Sequence, residues 1–172
     1  GCVYPMTGRA AIYGLDSVEG IRLALADLDQ EAAGGLPVPR LGVLVDDALS
    51  KASYALRIAE GYINDDHVRF LCGEVSSGVA SALSDLARRR QIIMVGTDHA
   101  SSRMTIEGKH PYYFRVSNDS WISNAAGARY LRDIRAEQPW QKIAFLNPDY
   151  DYGHVSRDDF LAALDGLAEP YE

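Results

Sequence analysis

The chain is short of positive charge, cysteine, histidine pairs and long apolar runs, and each shortage removes a class of function. Lys and Arg number 17 against 24 Asp and Glu, a net charge of -7. Binding to nucleic acid rests on clustered cations over phosphates, so a nucleic-acid partner is not expected. The one basic run, Arg88-Arg89-Arg90, reads as the end of a helix, where it complements the helix dipole. No apolar stretch approaches the roughly 18 residues that span a bilayer, so direct membrane insertion is not expected. Cys2 and Cys72 are too few for a disulfide framework, and both fall in apparent strands, so buried thiols are expected. The opening Gly1-Cys2 pair also admits a lipid-modified terminus, against which Cys2-Val3-Tyr4-Pro5 reads as the tail of a strand. His67, His99, His110 and His154 show no H-x-x-x-H pairing and neither cysteine has a close partner, so neither metal nor cofactor is expected.

What is present is a packed α/β pattern, with 47% hydrophobic residues. Short apolar runs predict strands at "CVY", "LGVLV" (41–45), "VRFLC" (68–72), "IIMV" (92–95), "YYFRV" (112–116) and "IAFL" (143–146). Amphipathic helices separate them. Ile21, Ala24, Leu25 and Leu28 fall at i, i+3, i+4 and i+7 in a helix over 15–32 that Gly34-Gly35 stops. Stripes at Ala52, Ala55, Leu56 and Ala59, and at Val79, Ala82, Leu83 and Leu86, mark the next two. A further helix over 120–137 carries Tyr130, Leu131 and Ile134, and the last places Phe160, Ala163, Leu164 and Leu167 in one row. Strands alternating with helices predict a doubly wound parallel sheet covered on both faces. The polar "VSNDSW" (116–121) has the composition of a crossing, dividing the chain into 1–117 and 118–172. The first strand opens at residue 1 and "LAEPYE" follows the last helix with no further strand, so the chain is expected to be part of a longer two-lobed protein.

Open parallel sheets bind ligands beyond the carboxyl ends of their strands. The loops to inspect are therefore 5–14, 46–50, 73–77, 96–102 and 147–153. "GEVSSGVA" has phosphate-loop glycine spacing, but Val79-Ala80 stand where Lys and Ser or Thr are required, so the nucleotide reading fails. Ser76 and Ser77 precede a helix, where they can hold a carboxylate or simply cap the helix. Asp98 and His99 in "GTDHASS" invite a hydrolase triad, but no G-x-S-x-G elbow accompanies them, and the loop reads better as a ligand contact. Tyr13, Trp121 and Tyr152 are phenol and indole groups on polar segments, suited to lining a cleft, although ordinary packing uses the same residues. "NPDYDYGH" (147–154) lacks the calcium-loop pattern and reads as a strand-to-helix turn that walls a pocket.

"PMTGRAAIYG", "GIRLALADLD" with "AGG", "CGEVSSGVASALSDLA", "HPYYFRVSNDS" and "KIAFLNPDYDYG" follow one another in an order that resembles the extracellular solute-binding proteins of branched-chain amino acid type ABC importers. The resemblance implies a type I periplasmic binding fold, with 1–117 as most of the first ligand-binding lobe and 118–172 as the beginning of the second. It implies a periplasmic or extracellular, non-enzymatic receptor that closes on an amino acid, amide or small carboxylate and delivers it to a membrane permease. A ligand-sensing domain of a signalling protein with the same fold is the alternative. By resemblance, Tyr13 matches a rim tyrosine, Ser77 (with Ser76 beside it) the serine that holds the ligand carboxylate, and Tyr152 a tyrosine of the second lobe. Asp98, His99 and Ala100 fall on a loop that usually offers backbone N–H groups and a threonine hydroxyl. Ala100 lacks that hydroxyl, and Asp98 sets a negative charge beside the expected carboxylate. A ligand with a cationic or donating group at that end is therefore expected, with His99 able to offset Asp98.

Overall fold

The computed structural model describes residues 1–167, so the expectation attached to the end of "LAEPYE" lies outside it. Five strands, β1 (Cys2–Tyr4), β2 (Val45–Asp47), β3 (Phe70–Gly73), β4 (Ile93–Gly96) and β5 (Tyr113–Arg115), form one parallel sheet in the order β2-β1-β3-β4-β5. The chain steps one way from β1 to β2 and then the other way across β1 to β3. Right-handed crossovers therefore put α1 (Ala11–Ala33) on one face and α2 (Ala52–Asn64) and α3 (Ser77–Arg90) on the other. The reversal between β1 and β3 is where such sheets open a crevice.

The face bearing Val3, Leu71, Met94 and Tyr113 is packed. It meets Ala55 and Ala59 of α2 and Val79, Leu83 and Leu86 of α3 in one core, so those two helical stripes are borne out. The opposite face is less covered than expected. Phe70 and Phe114 on it are 54% and 56% exposed, and α1 buries only Gly14. A second core joins α4 (Ser120–Ile134) to α5 (Asp151–Gly166) through Ala125, Ala128, Ala163 and Leu164, with Trp140 and Phe160 against it. The small alanines of α4 let the helices approach, whereas Tyr130 of the predicted stripe is exposed. Polar contacts join the two cores. Asp159 of α5, which also accepts from Ser120 Oγ of α4 at 2.5 Å, accepts across the junction from Ser102 Oγ at 3.0 Å, and Arg103 Nη1 meets Asp151 Oδ1 at 2.8 Å.

Three expectations are corrected. Cys2 and Cys72 are not free thiols. They face each other in register on β1 and β3, with Cα atoms 4.4 Å apart, and form a disulfide. The second strand, expected from Leu41, begins at Val45, and its ladder starts with Cys2 N–H on the Leu44 carbonyl at 2.8 Å. "IAFL" does not pair. Leu146 is fully exposed and no neighbouring strand among the described residues offers the segment a ladder. An isolated extended segment has no partner for its amides except water, so the apolar run alone does not make a strand.

Candidate functional site

The loops after β1, β2 and β3 and the start of α5 enclose a cleft of 390 Å³. Its wall is mostly apolar, with Ala10, Ala52, Val75 and Val79, and its polar groups are Ser50, Ser76, Tyr150 and Asp151. Gly73 makes the wall possible. Its φ is +119°, and a Cβ there would lie 2.1 Å from the Val3 carbonyl oxygen, so only a glycine lets β3 turn off so close to β1. The chain then enters α3 with Ser76 as N-cap. The first intrahelical bond is Ala80 N–H to the Ser76 carbonyl at 2.8 Å, so the amides of Gly78 and Val79, both on the cleft, precede the helix ladder. Unpaired amides and the positive end of the dipole make this an anion-attracting corner.

"NPDYDYGH" is the opposite wall. Tyr150 is the N-cap of α5, and a Cβ on Gly153 would lie 1.9 Å from the Pro148 carbonyl oxygen, so the glycine lets the first turn close on the proline. Asn147 Nδ2 donates to the Gly153 carbonyl at 2.9 Å and Asp149 meets His154 Nε2 at 3.1 Å. Burial, then the negative charges of Tyr152, Asp151 and Glu74 in their ionised forms, raise the Tyr150 phenol, which stays a neutral donor.

The expected residues divide. Ser76 is on the cleft. Ser77 is buried, and its Oγ accepts from Ser101 N–H at 3.3 Å, tying α3 to the loop after β4. Tyr13 is exposed on the first turn of α1, and its carbonyl accepts from Ser17 Oγ at 2.8 Å. Asp98 is turned aside. Its Oδ2 accepts from Ser17 Oγ at 2.9 Å and Thr97 Oγ1 at 2.7 Å, and it is not among the residues that line the cleft. Ala100 is half-buried and its carbonyl accepts from Ser120 N–H at 2.6 Å. Trp121 lies with Ala125 and Arg129 in a groove between α4 and α5, away from this cleft. Tyr152 is half-buried two residues beyond Tyr150, its ring 6.3 Å from that of Tyr150, and Tyr150 is the phenol on the cleft.

His99 departs most from its expected role. It is 1% exposed, with Nδ1 donating to the Glu74 carbonyl at 2.8 Å and Nε2 taking the Tyr113 hydroxyl at 2.6 Å. That assignment makes it a neutral imidazole, and burial, with Arg115 nearby, lowers its pKa. It neither offsets Asp98 nor forms a triad with it. Among the described residues no group of three or more His, Cys, Asp or Glu side chains could hold a metal.

Glu74 escaped the sequence reading, and of the two phenols in "NPDYDYGH" the reading favoured Tyr152 over Tyr150. Glu74 is completely buried beneath the cleft wall, and its Oε2 accepts from Ser76 N–H at 2.6 Å. Its signal in the sequence was a carboxylate inside an apolar, glycine-bounded loop, "CGEVSSG".

A family model described as periplasmic binding protein matches residues 1–167. The Leu/Ile/Val-binding protein BraC3 of Rhizobium johnstonii is 24% identical over 98% of this chain and 45% of its own length. Among solved structures, a solute-binding protein of an ABC transporter from R. palustris, in complex with 4-hydroxybenzoate, matches at TM-score 0.83 and 20% identity, over 99% of this chain and 44% of that one. The leucine binding protein LivK of Thermotoga maritima matches at TM-score 0.81 and 20% identity, over 99% and 46%. The chain thus spans a little under half the length of these relatives, and the structural likeness is one of fold.

Proposed function

From the premise that this chain belongs to the periplasmic binding protein family, we propose that it is the greater part of one lobe, residues 1–117, and the start of a second, 118–172, of an importer's solute receptor. The receptor captures a small carboxylate-bearing solute and hands it to a membrane permease. One observation carries the reading: the start of α3, with Ser76, Gly78 and Val79, opens into a cleft of 390 Å³ faced by Tyr150. A helix N-terminus favours a carboxylate, the apolar wall suits the rest of a small solute, and the volume falls in the range usual for such ligands. Leucine and 4-hydroxybenzoate, named with two of the similar proteins, each carry a carboxylate beside an apolar body. Closure of the two lobes around the solute is the hinge motion expected of such receptors. The Cys2–Cys72 disulfide supports a periplasmic or extracellular location, since disulfides persist in oxidising compartments.

Calorimetric titration of the full-length protein with benzoate, 4-hydroxybenzoate and L-leucine, each beside its amide, tests this. At least one acid is expected to bind at least tenfold more tightly than its amide. Equal affinity for acid and amide throughout, or no binding of any acid, overturns the carboxylate reading.

A further inference from the structure

Glu74 is the group that a plain carboxylate pocket does not explain. Its residue is 0% exposed, and Oε1 is buried with no hydrogen-bond partner among the described residues. A buried acceptor left unpaired is costly, and more so when it carries charge. The groups facing it are acids and neutral donors. Asp47 comes from the end of β2, where Met6 N–H, Leu49 N–H and Thr7 Oγ1 already occupy its oxygens, and Asp98 comes from the loop after β4. Tyr4 of β1 and Tyr150 of α5 are phenols, each raised in part by Glu74. His99, on the Glu74 carbonyl, is neutral, and Asp151 across the cleft is engaged by Arg103. Oε2 takes the Ser76 amide, so a proton on this carboxyl sits on Oε1, which becomes a donor.

We propose that Glu74 makes solute capture proton-linked: an anionic solute settles at the start of α3 while Glu74 is a neutral acid, so that binding above neutral pH takes up one proton. This rests on the carboxylate reading above and adds its regulation. An ionised Glu74 directly behind Ser76 would oppose a second negative charge at the helix end and cancel part of its dipole. Burial first, then Asp98 and Asp47, push its carboxyl up to about 7 against the attraction of the Ser76 and Val75 amides. The proton equilibrium therefore lies where small changes of pH alter the site. Affinity for an acid is expected to be level below about pH 6 and to fall by up to tenfold per unit above about pH 8.

The test is calorimetry of the full-length protein with benzoate and 4-hydroxybenzoate from pH 5.5 to 8.5, at each pH in two buffers whose different ionisation enthalpies count the protons exchanged. Close to one proton taken up per solute at pH 8.5 and close to none at pH 5.5 supports the proposal. In Glu74→Gln, which keeps an acceptor for Ser76 N–H, the uptake and the pH dependence should both vanish. Binding without proton uptake at pH 8.5, or with proton release, overturns this inference and leaves the carboxylate reading standing. Acids that bind no better than their amides sink that reading first. Independently of any solute, carboxyl-carbon NMR of the free protein must find Glu74 titrating near neutrality; a midpoint near 4.5 overturns the proposal.

Discussion

Removing the Cys2–Cys72 bond should cost more stability than any other single covalent or side-chain change outside the packed core. The bond joins residues 70 apart in sequence, placed in register on neighbouring strands. In the chain-entropy treatment a loop of this length restricts the unfolded chain by about 4 kcal/mol. Little native rearrangement is expected to offset that, because β1 is held on both sides by β2 and β3. Urea unfolding followed by circular dichroism, with and without dithiothreitol, measures it. At a slope of about 2 kcal/mol per molar urea, the midpoint should drop by about 2 M on reduction. Cys2→Ser, Cys72→Ser and the double variant should each lose a similar amount, since each breaks the same bond. Thiol titration of the unreduced, denatured protein should find none free. Two free thiols, or coincident midpoints, would refute the reasoning.

Three further outcomes follow from the geometry. Asp159→Ala strands the Ser102 and Ser120 hydroxyls and should lower stability by about 1–3 kcal/mol in the same unfolding assay. Tyr150→Ala should weaken solute binding in calorimetry by tenfold or more while Tyr152→Ala changes it by less than threefold, since Tyr150 lines the cleft. Stability against pH separates two buried groups. His99 has a lowered pKa, so its contribution is complete above its ordinary value of 6.5 and is lost as pH falls below it. Glu74 has a raised pKa, so its contribution is complete below its ordinary 4.5 and is lost as pH rises through about 7. The two oppose each other between those values, and Glu74→Gln should therefore lose stability more steeply than the parent on acidification from pH 6.5, measured by thermal melting.

The strands and helices that pack on a neighbour were legible from the chain. Leu71 and Met94 sit in continuous apolar runs, and Val79, Leu83 and Leu86 recur at helical spacing, so local pattern and tertiary burial agree. Where pattern and partner diverge, reading by period fails. "IAFL" has the run without the adjacent strand, and Cys2 meets Cys72 because β1 lies beside β3, an adjacency no local window contains. At the site, the loops were legible and the directions of their side chains were not. Ser76 and Ser77 are neighbours with opposite fates, one on the cleft and one under it, decided by where α3 begins. Tyr150 and Tyr152 divide in the same way at the start of α5. His99 looked like a rim residue because its polarity was visible and the inward partners Tyr113 and Glu74 were not.

The two cores are joined by a hydroxyl–carboxylate pair, Ser102–Asp159, and a guanidinium–carboxylate pair, Arg103–Asp151. Water can take over each of those bonds when the surfaces part, whereas it has no such substitute to offer a separated leucine pair. A joint of this kind can come undone and re-form many times at little free-energy cost, while the packing within each core stays intact.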